Sequence, residues 1–121
     1  MVLSMIRRVM VRYRVARDPV GFARSIGVQV GERVRFYGMD PSMFGTEPWH
    51  VTIGSDVFVT AGVQFVTHDG GTLILRNQQP DLEWTAPIVV GNSVYLGLRV
   101  LILPGVTIGD RCIIGAGAVV S

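Results

Sequence analysis

The side chains of this chain that can exchange a proton near neutral pH are few: His50, His68 and the lone thiol Cys112. An imidazole is the side chain suited to take a proton from a hydroxyl at physiological pH. His68 stands in the run Thr67-His68-Asp69-Gly70-Gly71. Asp69 there is either an orienting carboxylate for the imidazole or a turn residue beside the glycine pair. His50 stands earlier, in the run Trp49-His50-Val51. Cys112 is the only cysteine, which leaves no intrachain disulfide and no zinc-finger spacing. It is read as a small buried hydrophobe rather than a nucleophile.

Those residues sit on a repeat. From Val30 onward an aliphatic residue recurs every sixth position, usually followed by a small one. Val90-Gly91, Leu96-Gly97, Ile102-Leu103, Ile108-Gly109, Ile114-Gly115 and Val120-Ser121 keep one phase, and Ile53-Gly54, Val59-Thr60 and Phe65-Val66 keep another. A helical period of about 3.6 residues cannot produce this pattern. A left-handed parallel β-helix, all-β, can: each hexapeptide is a short strand plus a corner, and three make one coil of a triangular solenoid. The repeating aliphatic residue should point inward. Small residues should occupy the corners, where glycine permits positive φ. Coils are predicted at 53–70 and 90–107, with an imperfect first coil near 28–50 and a partial one at 108–121.

The phase breaks once. The step from Phe65 to Val90 exceeds four whole units by a single residue. Residues 69–87 are rich in turn formers and read as a loop ejected from the prism, a candidate functional segment. The loop carries Arg76, Asp81, Glu83 and Trp84, charged and aromatic side chains able to line a binding site. Trp84 and Trp49 can wall such a site or fill a subunit seam. His50 precedes His68 by one full coil, so if no insertion intervenes it stacks directly beneath it. Two histidines are fewer than a catalytic zinc needs, so no metal is expected.

Ahead of the repeat, residues 1–27 read as a helical segment. Ile6, Val9, Met10 and Tyr13 form one apolar face of a helix over residues 4–16. Asp18-Pro19 opens a second helix through Arg24, ended by Gly27. The chain has no lysine, and residues 1–24 hold six arginines against one aspartate. The rest holds five arginines against eight acids. A basic N-terminal segment suits nucleic acid or an anionic membrane surface. The solvated face of an amphipathic helix is the preferred reading here. No nucleic-acid motif is present, and a weak membrane-surface contact stays open. No apolar run reaches membrane-span length, and Arg7 and Arg8 fall where a signal peptide would be apolar. A cytoplasmic protein is therefore expected.

Several segments together resemble one family: Glu47-Pro48-Trp49-His50-Val51-Thr52-Ile53-Gly54, then Phe65-Val66-Thr67-His68-Asp69-Gly70-Gly71, then Val90-Gly91-Asn92-Ser93-Val94-Tyr95-Leu96-Gly97. Ile102-Leu103-Pro104-Gly105-Val106-Thr107-Ile108-Gly109-Asp110 and Ile114-Gly115-Ala116-Gly117-Ala118-Val119-Val120 complete the set. From about Asp18 to Ser121 the chain is similar to hexapeptide-repeat sugar O-acetyltransferases of the maltose and galactoside acetyltransferase type. It most resembles relatives found with capsule and lipopolysaccharide biosynthesis. The resemblance implies acetyl-CoA as acyl donor, a sugar or nucleotide-sugar acceptor, and a homotrimer with each active site between two neighbours. It makes His68 the general base and gives Gly97, Leu98, Ala116 and Gly117 to the pantetheine arm of CoA. Glu47 then either binds a sugar hydroxyl or supports the histidine, and Asp69 and Trp84 join it on the acceptor side.

Two alternatives stay open at this point: N-acetylation of an amino-sugar nucleotide, and a non-catalytic β-helix scaffold. Family chains commonly continue past the last repeat, whereas this one stops at Ser121 in mid-coil, as a truncated C-terminus would. Tyr95 stands where a tryptophan is common. An apolar content of 49% is too high for one thin solenoid to hide, which also suggests subunit contacts.

Overall fold

A computed structural model describes all residues, 1–121. Two helices lead. α1 (Val2–Arg17) begins two residues before and ends one residue after the predicted span. In α2 (Pro19–Ser25), Asp18 is the N-cap and accepts a hydrogen bond from the Gly21 N–H at 3.0 Å, with Pro19 in the first turn. Phe22 and Ala23 of α2 are buried. The Arg24 guanidinium reaches forward to the carbonyls of Val30 and Gly31, at 2.9 and 3.0 Å.

The remaining strands are short and follow one another around three parallel sheets. The first coil contributes β1 (Gln29–Val30) and β2 (Arg35–Phe36). The second has β3 (Val51–Ile53), β4 (Phe58–Val59) and β5 (Gln64–Phe65). An antiparallel ribbon, β6 (His68–Asp69) with β7 (Trp84–Thr85), follows. The third coil has β8 (Ile88–Val90), β9 (Tyr95–Leu96) and β10 (Leu101–Ile102), and the fourth has β11 (Thr107–Ile108), β12 (Ile113–Ile114) and β13 (Val119–Val120). β1, β3, β8 and β11 form wall A; β2, β4, β9 and β12 form wall B; β5, β10 and β13 form wall C. Registers such as Val90↔Ile108, Leu96↔Ile114 and Ile102↔Val120 are parallel and one regular coil apart.

Alternation along each strand puts two residues of every hexapeptide inside. Ile53, Val59, Phe65, Val90, Leu96 and Ile102 are each at most 2% exposed, and so are Val51, Val57, Val63, Ile88, Val94 and Val100 two places earlier. The second set keeps the same six-residue period, as the small or branched residue that ends each unit. Each such side chain contributes roughly 1.5–3 kcal/mol by leaving water.

The first coil is longer than those that follow. Val30 pairs with Ile53 and Phe36 with Val59. On wall C the Phe65 N–H donates to the Met43 carbonyl at 2.9 Å, which sets Phe44 beside Phe65, and their rings stack with centroids 5.2 Å apart. The register there differs from that of the first two walls, so extra residues enter on both sides of Phe44.

Glycines take positive φ at two of the corners, as at Gly62 (76°), Gly105 (82°) and Gly117 (73°), and the third corner is built otherwise. At the corner between walls A and B, four stacked non-glycine residues adopt positive φ: Arg33 at 54° and Asp56, Ser93 and Arg111 at 57°. The glycines just before that corner serve close approach instead. A Cβ on Gly54 would sit 2.6 Å from the Gly91 carbonyl oxygen.

Candidate active site

The extra residues of the first coil determine what lies beneath His68. Counting back by one regular coil gives His50, but with Phe44 beside Phe65 the residue level with His68 is Glu47. The side chains meet: His68 Nδ1 lies 2.9 Å from Glu47 Oε1. His50 is level with Pro87 instead, because its neighbour Val51 pairs with Ile88. The expected His50–His68 stack is thus displaced by an insertion. No group of three or more His, Cys, Asp or Glu side chains lies together in a metal-holding arrangement.

The second Glu47 oxygen is also engaged. Thr85 Oγ1, on the strand by which the loop returns, donates to Glu47 Oε2 at 2.7 Å. The Thr85 bond and then the His68 bond hold the Glu47 carboxyl below the usual carboxylate range. Glu47 is therefore ionised at neutral pH and can only accept hydrogen bonds. It follows that His68 Nδ1 carries a proton and donates it, which leaves Nε2 of the neutral imidazole with its lone pair. Nε2 makes no hydrogen bond within the chain, and the His68 side chain is 31% exposed. The arrangement is an imidazole held through one nitrogen with the other free.

Glu47 supports the histidine through Oε1 and the ribbon through Oε2, and each oxygen keeps a further lone pair. Asp69 does not touch the imidazole: its Oδ1 accepts the Gly71 N–H at 2.7 Å and opens the 3₁₀ turn Gly70–Leu75. Trp84 pairs across the ribbon with Asp69 and is exposed. Trp49 packs over Gly27 at the end of α2. Cys112 is half-buried against the core rather than fully enclosed. Thr85 had no signal in the sequence. Only the antiparallel pairing His68↔Thr85 brings it to the site.

Of the residues assigned to the pantetheine arm, Leu98, Ala116 and Gly117 line one open groove with Ala61, Gly62 and Arg99. Gly97 does not line it. A Cβ at Gly97 would stand 2.6 Å from the Ala116 backbone nitrogen, so coil stacking already requires glycine there. The groove runs along the corner between walls B and C. His68 follows wall C, at the corner toward wall A. Base and groove occupy different edges, and no cleft of the molecule is lined by His68.

Residues 87–121 match the family model described as "Bacterial transferase hexapeptide (six repeats)". Over that stretch the chain is similar to the hexapeptide-repeat transferases. It is 48% identical over 84 residues to Protein CapG of Staphylococcus aureus, covering 69% of this chain and 49% of that protein. It is 32% identical over 103 residues to galactoside O-acetyltransferase of Escherichia coli K12, covering 85% of this chain and 49% of that enzyme. The chain thus spans about half the length of these curated relatives. No solved structure matches it. No helix is long and apolar enough to cross a membrane.

Proposed function

We propose that the three sheets close into a left-handed triangular β-helix and that the chain works as an acetyl-CoA-dependent O-acetyltransferase. Its acceptor would be a hydroxyl on a sugar of a cell-surface polysaccharide or its precursor. The observation that carries this reading is His68, held through Nδ1 by an ionised carboxylate and free at Nε2. Acetyl-CoA, a substrate here, supplies the activated acetyl group. His68 Nε2 takes the acceptor hydroxyl proton as the oxygen bonds to the thioester carbonyl carbon. The imidazolium is stabilised by Glu47 and returns that proton to the sulfur as the C–S bond breaks. The products are an acetyl ester and free CoA. No covalent enzyme intermediate is needed, consistent with Cys112 lying 3.5 Å from the Asp110 carbonyl rather than beside His68.

The open groove at Leu98, Ala116 and Gly117 suits the pantetheine arm, because small residues let its amides approach the backbone. Asp69 and Trp84 face the acceptor side from the ribbon. Groove and base lie on different edges, which supports a homotrimer in which each site combines two subunits. Similarity to an enzyme named galactoside O-acetyltransferase supports oxygen rather than nitrogen as the acceptor atom. We place the protein in the cytoplasm, a reducing compartment that suits a lone thiol.

The test is release of CoA thiol with candidate sugars. His68→Ala should cost roughly a hundredfold or more in kcat, the usual size of a general-base contribution. CoA affinity and assembly should stay unchanged, and His50→Ala should be milder. Near-normal turnover in His68→Ala would remove the proposed base. Absence of acetyl transfer by the folded parent to any sugar would favour a scaffold role.

A further inference from the structure

We propose that α1 is a membrane-surface helix that binds anionic phospholipid. Only its inner side meets the rest of the molecule: Val15 is buried and Val11 half-buried. At about 100° per residue, the face opposite those two is an arc of roughly 160°. It carries Leu3, Met5, Ile6, Val9, Met10 and Tyr13, all 48–83% exposed. Arg17, at the C-terminal end, is the sole charge within the arc, and it donates to Tyr13 Oη at 2.8 Å. Arg8 and Arg12 border the arc on one side, and Arg7 and Arg14 border it on the other.

The chemistry of the occupant follows from this layout. An apolar face of this size left in water calls for a covering surface. α1 has five arginines and no acid, and none of them is in an ion pair; the salt bridges of the chain are Arg33–Asp56 and His68–Glu47. Asp40 is the one carboxylate facing the helix, held below the usual range chiefly by Ser42 and only weakly by Arg12. A second α1 laid against this face would bring arginine borders together with no acid between them. A bilayer containing anionic lipid meets both demands. The apolar arc enters the boundary between headgroups and acyl chains, and the bordering guanidiniums reach the phosphates at its rim. A helix of 16 residues is about 24 Å long, which suits lying in the interface rather than spanning the bilayer.

The experiment is vesicle flotation of the full chain, comparing phosphatidylcholine alone with phosphatidylcholine containing phosphatidylglycerol. Binding should need phosphatidylglycerol and should weaken as salt rises. Ile6→Ser/Val9→Ser/Met10→Ser and, separately, Arg7→Gln/Arg8→Gln/Arg14→Gln should each weaken vesicle binding about tenfold or more. Both sets lie outside the core, so circular dichroism and particle mass should match the parent. The proposal fails if the folded parent does not float with phosphatidylglycerol vesicles, or if the apolar variant floats as well as the parent. It also fails if that variant changes particle mass instead of vesicle binding, because the face would then belong to a second copy.

Discussion

A histidine that is to act as a base needs a fixed tautomer, and at His68 one carboxylate and one hydroxyl fix it. Thr85 Oγ1 lies 2.7 Å from Glu47 Oε2 and 3.1 Å from the Thr67 carbonyl, and its single proton serves the charged acceptor better. Glu47→Gln would still accept from Nδ1 but would remove the charge that stabilises the imidazolium. We expect kcat to fall about ten- to a hundredfold with KM for acetyl-CoA unchanged. Thr85→Val should cost less, about three- to tenfold in kcat, because His68–Glu47 survives. It should also move the Glu47 titration, since the Thr85 bond is the largest cause of its depression. A carboxyl with a lowered folded value gives stability that is complete above its unfolded value and is lost as pH falls through the folded one. In Thr85→Val the folded value rises, so that loss should be smaller and should finish at higher pH, readable as an upward shift in the midpoint of the Glu47 carboxyl-carbon NMR titration. An unmoved titration would mean that Thr85 does not hold Glu47. His68 itself was legible from residue type and from the broken repeat beside it. Its partner was not, because the separation from Glu47 exceeds one regular coil, and no local signal marks where the first coil gains its extra residues.

At the scale of the coil, polar side chains tie one turn to the next along the corner between walls A and B. Ser55 Oγ accepts the Glu32 N–H at 3.0 Å, Asn92 Oδ1 accepts the Ser55 N–H at 2.8 Å, and Asp110 Oδ1 accepts the Asn92 N–H at 2.7 Å. This ladder runs along the same corner as the positive-φ residues Arg33, Asp56, Ser93 and Arg111, each of which costs on the order of 1–2 kcal/mol in that conformation. The sequence displayed the pattern as a Ser, Asn or Asp one place after Gly54, Gly91 and Gly109. Its meaning was hidden, because composition cannot tell a turn former from a rung. Asn92→Ala removes one rung and should cost about 1 kcal/mol in urea denaturation. Gly54→Ala forces a methyl to within 2.6 Å of the Gly91 carbonyl, which only a shift of one coil can relieve. It should cost more, toward the upper end of ~1–3 kcal/mol for overpacking. If Gly54→Ala proves the milder, close coil approach is not what glycine serves there. The aliphatic period was readable because it follows directly from the inward geometry of each strand. The β6–β7 ribbon that closes the loop was not, since each of its strands is two residues long and carries no alternation of its own.

For the whole molecule, the distribution of functional surface over edges carries the quaternary argument. A wall of six residues at about 3.3 Å each sets neighbouring corners up to ~20 Å apart. His68 and the Leu98–Ala116–Gly117 groove of one chain thus lie at different edges, an arrangement that suits a site shared between subunits. Phe58, Tyr95 and Ile113 form an outward apolar column on wall B, 38%, 42% and 82% exposed, and a neighbouring copy would cover it. Light scattering should therefore find three chains per particle at micromolar concentration, and a stable monomer would sink the shared site. Complementation is the sharper measurement. His68→Ala removes the base, whereas Ala116→Trp fills the groove from an exposed position outside the core. Each homogeneous variant should be nearly inactive. If base and groove come from different subunits, unfolding the two together and refolding the mixture creates sites that take His68 from an Ala116→Trp chain and an open groove from a His68→Ala chain. Random assembly of equal amounts makes about a quarter of all sites competent in a cyclic trimer, and activity should return to that extent. If one subunit supplies both parts, every site in the mixture carries a lesion and nothing returns, however well the chains mix.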